Sequence, residues 1–115
     1  MLAVAACGSA YGRDFALVQR TVEGGDSALG RAAIRSYGCG SCHSIPGVTG
    51  ANSLVGPPLN EFYKRHYIAG NLPNQADNLI RWIMNPQAIE PGTAMPYMGV
   101  TEADARHIAA YLYSR

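Results

Sequence analysis

Cys39-Gly40-Ser41-Cys42-His43 is the part of the sequence whose residue types and spacing can do chemistry. Two thiols three positions apart lie on one turn of backbone, where each can add to one of two neighbouring vinyl groups. The next residue, His43, then lies under the ring centre and offers an imidazole nitrogen to iron. C-x-x-C-H is the attachment signature of c-type haem. A zinc site is weaker chemistry: Cys39, Cys42 and His43 have no second Cys/His pair at finger spacing, and the remaining cysteine is Cys7. A thioredoxin-like C-x-x-C needs a strand–helix–strand setting that the flanking residues do not provide.

A histidine-bound iron that transfers electrons takes a second axial ligand, and methionine, soft and neutral, suits the reduced state. Met1, Met84, Met95 and Met98 are available. Met84 sits in an apolar helical run and reads as core filling. Met95 lies in Pro91-Gly92-Thr93-Ala94-Met95-Pro96, a stiff loop able to project a side chain to a fixed point, with Met98 as its rival. His66 and His107 read as solvated or hydrogen-bonded side chains. None of these roles needs a titrating acid–base pair, so the expectation is an electron carrier and not a catalyst.

The elements that must position these residues are short. The chain has 115 residues, 13 glycines and 7 prolines, which predicts short helices joined by long loops. Asp26 is a candidate N-cap for a helix in which Leu29, Ala33, Ile34 and Tyr37 recur at helical spacing and Gly38 stops the run. Pro57-Pro58 is expected to open a second, with Leu59, Phe62, Tyr63 and His66 on one side. Asn74 is the candidate cap of a third, carrying Leu79, Trp82 and Ile83, with Asp77 and Arg81 paired on its wet face and Asn85-Pro86 as its end. Thr101 caps the last, which turns Ala105, Ile108, Tyr111 and Leu112 inward. No stretch alternates at period two for long enough to form a convincing strand. The fold class is therefore all-α: about four short helices with long loops wrapped around one haem.

Composition excludes several functions. Nine basic and eight acidic side chains give a formal charge of +1, without the basic stripe of a nucleic-acid binder. No apolar run approaches the ~20 residues of a transmembrane helix. Neither a phosphate-binding loop nor a dinucleotide fingerprint is present.

From about Gly25 to Leu112 the chain resembles class I cytochromes c, the small monohaem electron carriers. Cys39–His43 follows an N-terminal helix, as in that family. Gly56-Pro57-Pro58-Leu59 is similar to the family's Gly-Pro-x-Leu turn, which implies that the Pro57 carbonyl orients His43. Trp82-Ile83-Met84-Asn85-Pro86 followed by Pro91–Met95 is similar to the family's helix, Asn-Pro stop and axial-methionine loop. The Pro86-to-Met95 spacing of the resemblance selects Met95 over Met98, and Trp82 falls where the family often sets an aromatic ring beside the sulfur. Gly30 and Ile34 look like first-helix positions that cross the last helix at Ile108 and Tyr111. The resemblance implies haem c bound through Cys39 and Cys42, ligated by His43 and Met95, with Pro57 and Trp82 in support. It also implies haem attachment on the extracytoplasmic, periplasmic side of a bacterial membrane. The lysine ring of the mitochondrial protein is absent, since Lys64 is the one lysine.

Residues 1–24 fall outside the resemblance and read as a signal remnant, tether or interaction segment, with residues 25–115 as the haem domain. Val4-Ala5-Ala6-Cys7 is similar to a bacterial lipobox, which implies a lipid anchor on Cys7. Expected partners are an electron donor and an acceptor among membrane-associated redox proteins. The alternatives are a haem subunit fixed in a respiratory or photosynthetic complex, and a peroxidase or gas binder whose methionine leaves the iron.

Overall fold

The computed structural model describes residues 20–115. Cys7, where a lipid anchor is expected, and most of the 1–24 segment lie outside the described residues. Four α-helices are present among them: α1 (Ser27–Tyr37), α2 (Ala76–Met84), α3 (Pro86–Ile89) and α4 (Glu102–Tyr113). Two 3₁₀ turns, Cys39–Ser41 and Phe62–Lys64, and a two-strand antiparallel ribbon, β1 (Tyr67–Ile68) with β2 (Leu72–Pro73), complete the set. The sequence pattern does not announce the ribbon. Two residues per strand are too few for a period of two to register.

The ends of α1 follow from local chemistry. Asp26 is extended, and its Oδ1 accepts from the backbone N–H groups of Ala28 and Leu29. Gly38 closes the helix at φ 74°, in the left-handed region that other residues enter at a cost, and donates to the carbonyls of Ile34 and Arg35. The buried face of α1 is Gly30 and Ile34; Leu29, expected to face inward, is 54% exposed. Packing selects that face. A Cβ on Gly30 would lie 1.9 Å from the His107 carbonyl oxygen of α4, so the two backbones touch there and nothing larger than hydrogen fits. The approach at Gly30 falls on His107 and Tyr111; Tyr111 is the partner the resemblance implies, and His107 stands where Ile108 is expected.

Helix α4 begins as expected, with Thr101 Oγ1 accepting from Asp104 N–H. It buries Ala105, Ile108, Ala109, Tyr111 and Leu112. These join Ile34, Phe62, Ile68, Leu79, Ile80 and Ile83 in one apolar core.

Three expectations for the middle of the chain fail. No helix opens at Pro57-Pro58: only Phe62–Lys64 winds, as a 3₁₀ turn, because Glu61 before it sits at φ 52° and breaks continuity. Phe62 alone of the expected face is buried, while Tyr63 and His66 are exposed. Asn74 does not cap α2. Gln75 holds that place without a side-chain bond, and Asn74 is 2% exposed inside the fold. Its Nδ2 donates to the carbonyls of Phe62 and Arg65, and its Oδ1 accepts from Tyr113 Oη at 2.7 Å. Buried polar groups need partners, and here one carboxamide supplies them to a loop that lacks a ladder of its own. Arg81 turns to Asn78 Oδ1 at 2.9 Å rather than to Asp77. Asn85-Pro86 does end α2, and Pro86 at once becomes the first residue of α3.

Two measurements check this packing. In equilibrium denaturation, Gly30→Ala is expected to lose about 1–3 kcal/mol by overpacking, in spite of alanine's better helix propensity. Leu29→Ala should stay within about 0.5 kcal/mol. Burial pushes the Tyr113 phenol up from its ordinary 10.0 to about 12. The folded state therefore holds that proton longer than the unfolded chain. The contribution to stability is intact below pH 10 and is lost as the pH rises toward about 12. Stability measured from pH 9 upward should fall less steeply in Tyr113→Phe than in the parent.

Candidate functional site

The C-x-x-C-H segment leaves α1 through the left-handed Gly38 and winds into the 3₁₀ turn Cys39–Ser41. The Cys39 carbonyl accepts from both Cys42 N–H, at 3.2 Å, and His43 N–H, at 3.1 Å. That bifurcated acceptance curls the five residues into one tight unit, with Cys39 and Cys42 both half-buried. Neither Cys39 nor Cys42 is in a disulfide. Burial pushes the Cys39 thiol up, which favours its neutral form.

Gly40 makes the turn's contact with the rest of the chain. A Cβ there would come within 2.8 Å of Ala51 Cβ. The turn therefore lies flat on the loop closed by Ile45 N–H donating to the Ala51 carbonyl and by the Ser44–Asn52 bridge. Tyr111 Oη anchors the same loop from α4 by donating to the Pro46 carbonyl at 2.5 Å.

His43 has a single orientation, set from two sides. Its Nδ1 lies 2.7 Å from the Pro57 carbonyl oxygen. A carbonyl only accepts, so Nδ1 carries the proton and Nε2 keeps the lone pair that binds a metal. The ring also rests on Gly56, where a Cβ would stand 2.5 Å from His43 Cε1 and 2.8 Å from Nδ1. Gly56 N–H in turn donates to the Cys42 carbonyl at 2.6 Å, and Leu59 N–H to Ser44. The sequence singled out Pro57; the requirement for a glycine before it becomes visible only with the ring in place.

The second group of residues lies on α2, α3 and the loop after them. Met84 and Trp82 pack partly buried against the core, Met84 as expected of a filler. Met95 is half-buried yet is not among the residues packed on that core, while Met98 is 45% exposed. Asn85 Oδ1 caps α3 by accepting from Ala88 N–H. Gln87, which the sequence did not bring forward, bonds to three points of the methionine loop. A half-buried glutamine one residue after a proline carries no sequence signal for such a role. His66 is exposed, and His107 Nδ1 accepts from Asp26 N–H at 3.0 Å. Among the described residues no group of three or more His, Cys, Asp or Glu side chains gathers as a metal site.

This donor set fits a haem better than a bare metal ion. It offers one imidazole with its tautomer fixed, two thiols three residues apart and outside any disulfide, and a close approach at Gly56 that admits no Cβ. His43, Cys39 and Cys42 would hold such a group on one side, with a methionine thioether completing it.

Comparisons with known proteins agree. The profile of the family described as cytochrome c matches residues 27–115. The chain is 37% identical over 86 residues to cytochrome c oxidase subunit 2 of Alkalihalophilus pseudofirmus, a stretch covering 74% of this chain and 24% of that protein. It is 31% identical over 86 residues to cytochrome c oxidase subunit 2 of Bacillus sp. strain PS3, covering 71% of this chain and 24% of the relative. The chain thus spans about a quarter of the length of these curated relatives. No solved structure gives a significant match.

Gly56→Ala tests the cradle. The added methyl must displace the His43 ring and lengthen the bond from Nδ1 to Pro57. The expected outcome is loss of the slowly exchanging Nδ1 proton in NMR spectra, whereas Gly50→Ala, strained at φ 80° but with nothing near the added methyl, retains it.

Proposed function

We propose that this chain, which belongs to the cytochrome c family, carries single electrons through one haem c that Cys39 and Cys42 would bond and whose iron His43 and Met95 would hold. The observation that carries the proposal is the bond between His43 Nδ1 and the Pro57 carbonyl at 2.7 Å, which leaves Nε2 as a donor of fixed orientation on the residue that follows Cys42, with both cysteines outside any disulfide. The haem supplies a metal centre that changes valence by one electron. Everything else is the work of the polypeptide.

His43 is held so that its ring need not turn when the charge at the metal changes. A hydrogen bond from Nδ1 to a carbonyl raises the basicity of the other nitrogen and strengthens it as a ligand. Met95 adds a neutral sulfur, which favours the reduced state. Its half-burial apart from the core packing, against the exposure of Met98, supports the choice between them. Trp82 stiffens the helix side of the same region by packing on the core and lies beside the methionine sulfur in this reading. Neither ligand has to leave, so little reorganisation opposes transfer. Pro91, Pro96 and the bonds around Gln87 argue against a labile methionine, and so against peroxidase or gas-binding chemistry.

Donor and acceptor are redox proteins on the extracytoplasmic side of a membrane. Among the described residues no helix is long and apolar enough to cross one. A second reading has support of its own: both curated relatives are named as oxidase subunits, and the matched stretch is a quarter of each. In that reading the domain is a fixed relay inside an oxidase and not a diffusing shuttle. Stable co-purification with membrane subunits in mild detergent separates the two.

Mass spectrometry of the natively produced protein should show one covalent haem, abolished in Cys39→Ser/Cys42→Ser. The oxidised protein should show a sulfur-to-iron charge-transfer band. Met95→Ala is expected to remove that band and lower the reduction potential; Met98→Ala is expected to keep both. Loss of the band in Met98→Ala with retention in Met95→Ala overturns the ligand choice.

A further inference from the structure

The methionine loop is built with little regular structure, yet its backbone is tied at several points to one side chain. Gln87 stands in the first turn of α3, behind Pro86. Its Nε2 donates to the Thr93 carbonyl at 2.7 Å and to the Met95 carbonyl at 2.9 Å. Its Oε1 accepts from Gly92 N–H at 3.1 Å. A carboxamide has two N–H donors and one oxygen, and all three groups are in use here. The remaining links are local: Glu90 N–H to Pro86 O and Thr93 N–H to Glu90 O. Gly92 reverses the chain at φ 85°, and nothing lies within 4 Å of where a Cβ would stand there. The loop is thus held from within, and the hold reaches the backbone of Met95 itself.

We propose that Gln87 is a positioning residue that fixes the Met95 backbone and thereby sets how long the methionine sulfur stays on the iron. The inference rests on Met95 being the axial ligand, as proposed above. The physical argument is that a monodentate thioether is a weak ligand whose persistence depends on the cost of moving the segment behind it. Without Gln87 the carbonyls of Thr93 and Met95 must find water, and the segment from Gly92 to Met95 loses its common anchor. With Gln87 in place, withdrawal of Met95 has to break bonds on two sides of Ala94 together. Asn85 and Pro86 set the direction from which Gln87 reaches the loop, the first by capping α3 and the second by fixing its first residue.

A glutamine that merely fills space would be replaced well by a residue of equal size. The bonding role separates two such variants. Gln87→Leu loses all three bonds. Gln87→Glu keeps an acceptor for Gly92 N–H, loses both donations and turns a carboxylate oxygen toward two carbonyls. The side chain is half-buried, so both proteins are expected to fold.

The test uses the oxidised holoprotein and follows the entry of added imidazole at the iron by stopped-flow, beside amide exchange at Gly92 and chemical denaturation. Imidazole binding limited by methionine release should be at least about tenfold faster in both variants than in the parent, as expected for losing two or more hydrogen bonds. The charge-transfer band should weaken in both. Gly92 exchange should accelerate in Gln87→Leu and stay near the parent in Gln87→Glu. Acceleration of imidazole entry must exceed the change in global unfolding, or the role is ordinary stability. Rates within twofold of the parent, in variants that keep the band, overturn the proposal while leaving Met95 as ligand. A parent protein whose band survives Met95→Ala overturns the ligand assignment and this inference with it; unchanged Gly92 exchange in Gln87→Leu overturns the clasp by itself.

Discussion

The fold depends on one close contact between two helices. Gly30 of α1 lies so near the His107 carbonyl of α4 that no side chain can stand between them. Most of the chain between these helices is loop, and loops do not place themselves. Helix α4 acts as the spine to which they are tied. Tyr111 holds the Pro46 carbonyl, Tyr113 holds Asn74, and Asp104 Oδ2 accepts from Tyr37 at 2.6 Å near the end of α1. That last bond raises the Tyr37 phenol above its ordinary range, the carboxylate beside it favouring the protonated hydroxyl. Fixing α1 on α4 fixes Gly38, and through Gly38 the direction in which Cys39, Cys42 and His43 leave the helix.

A second constraint is the accounting of backbone polar groups. A loop that approaches a buried site leaves N–H and carbonyl groups without ladder partners, and each unpaired group costs stability. The chain answers with carboxamides. Asn74 serves the carbonyls of Phe62 and Arg65, and Gln87 serves Thr93, Met95 and Gly92. Arg20 adds a third tie, donating to the carbonyls of Tyr63 and Arg65 from residues before α1. The low charge content is consistent with this economy: neutral amides and phenols do inside the fold what ion pairs do weakly at its surface.

The sequence was most informative where chemistry is local. Asp26, Gly38 and Thr101 declare helix ends because their side chains, or the lack of one, satisfy the backbone within a few residues. The C-x-x-C-H run declares itself because both thiols and the imidazole must share one turn. Pro57 was legible through resemblance, and the His43 bond to its carbonyl agrees. The errors share a different cause. Asn74 has the chemistry of a helix cap, but its partners Phe62, Arg65 and Tyr113 come from distant parts of the chain. Leu29 has the spacing of a core residue, yet the crossing at Gly30 rotates it outward. Pro57-Pro58 has the form of a helix start, but Glu61 enters the left-handed region and only one 3₁₀ turn follows. Long-range packing decides each of these, and periodicity carries no record of it.

The same distinction explains why Gln87 was silent. Its three partners lie five to eight residues downstream, beyond the reach of capping rules and short of a contact that a hydrophobic pattern would reveal. Such a residue becomes visible only as geometry. Its position also gives the two halves of the site different mechanical character. His43 is held from a second segment of the chain, by the Pro57 carbonyl and the close approach of Gly56. The methionine side is held by a short helix and one carboxamide. Of the two, the loop from Pro86 to Pro96 has the fewer supports. Contacts along it can therefore change without disturbing the packing of α1 on α4, which lies elsewhere in the chain.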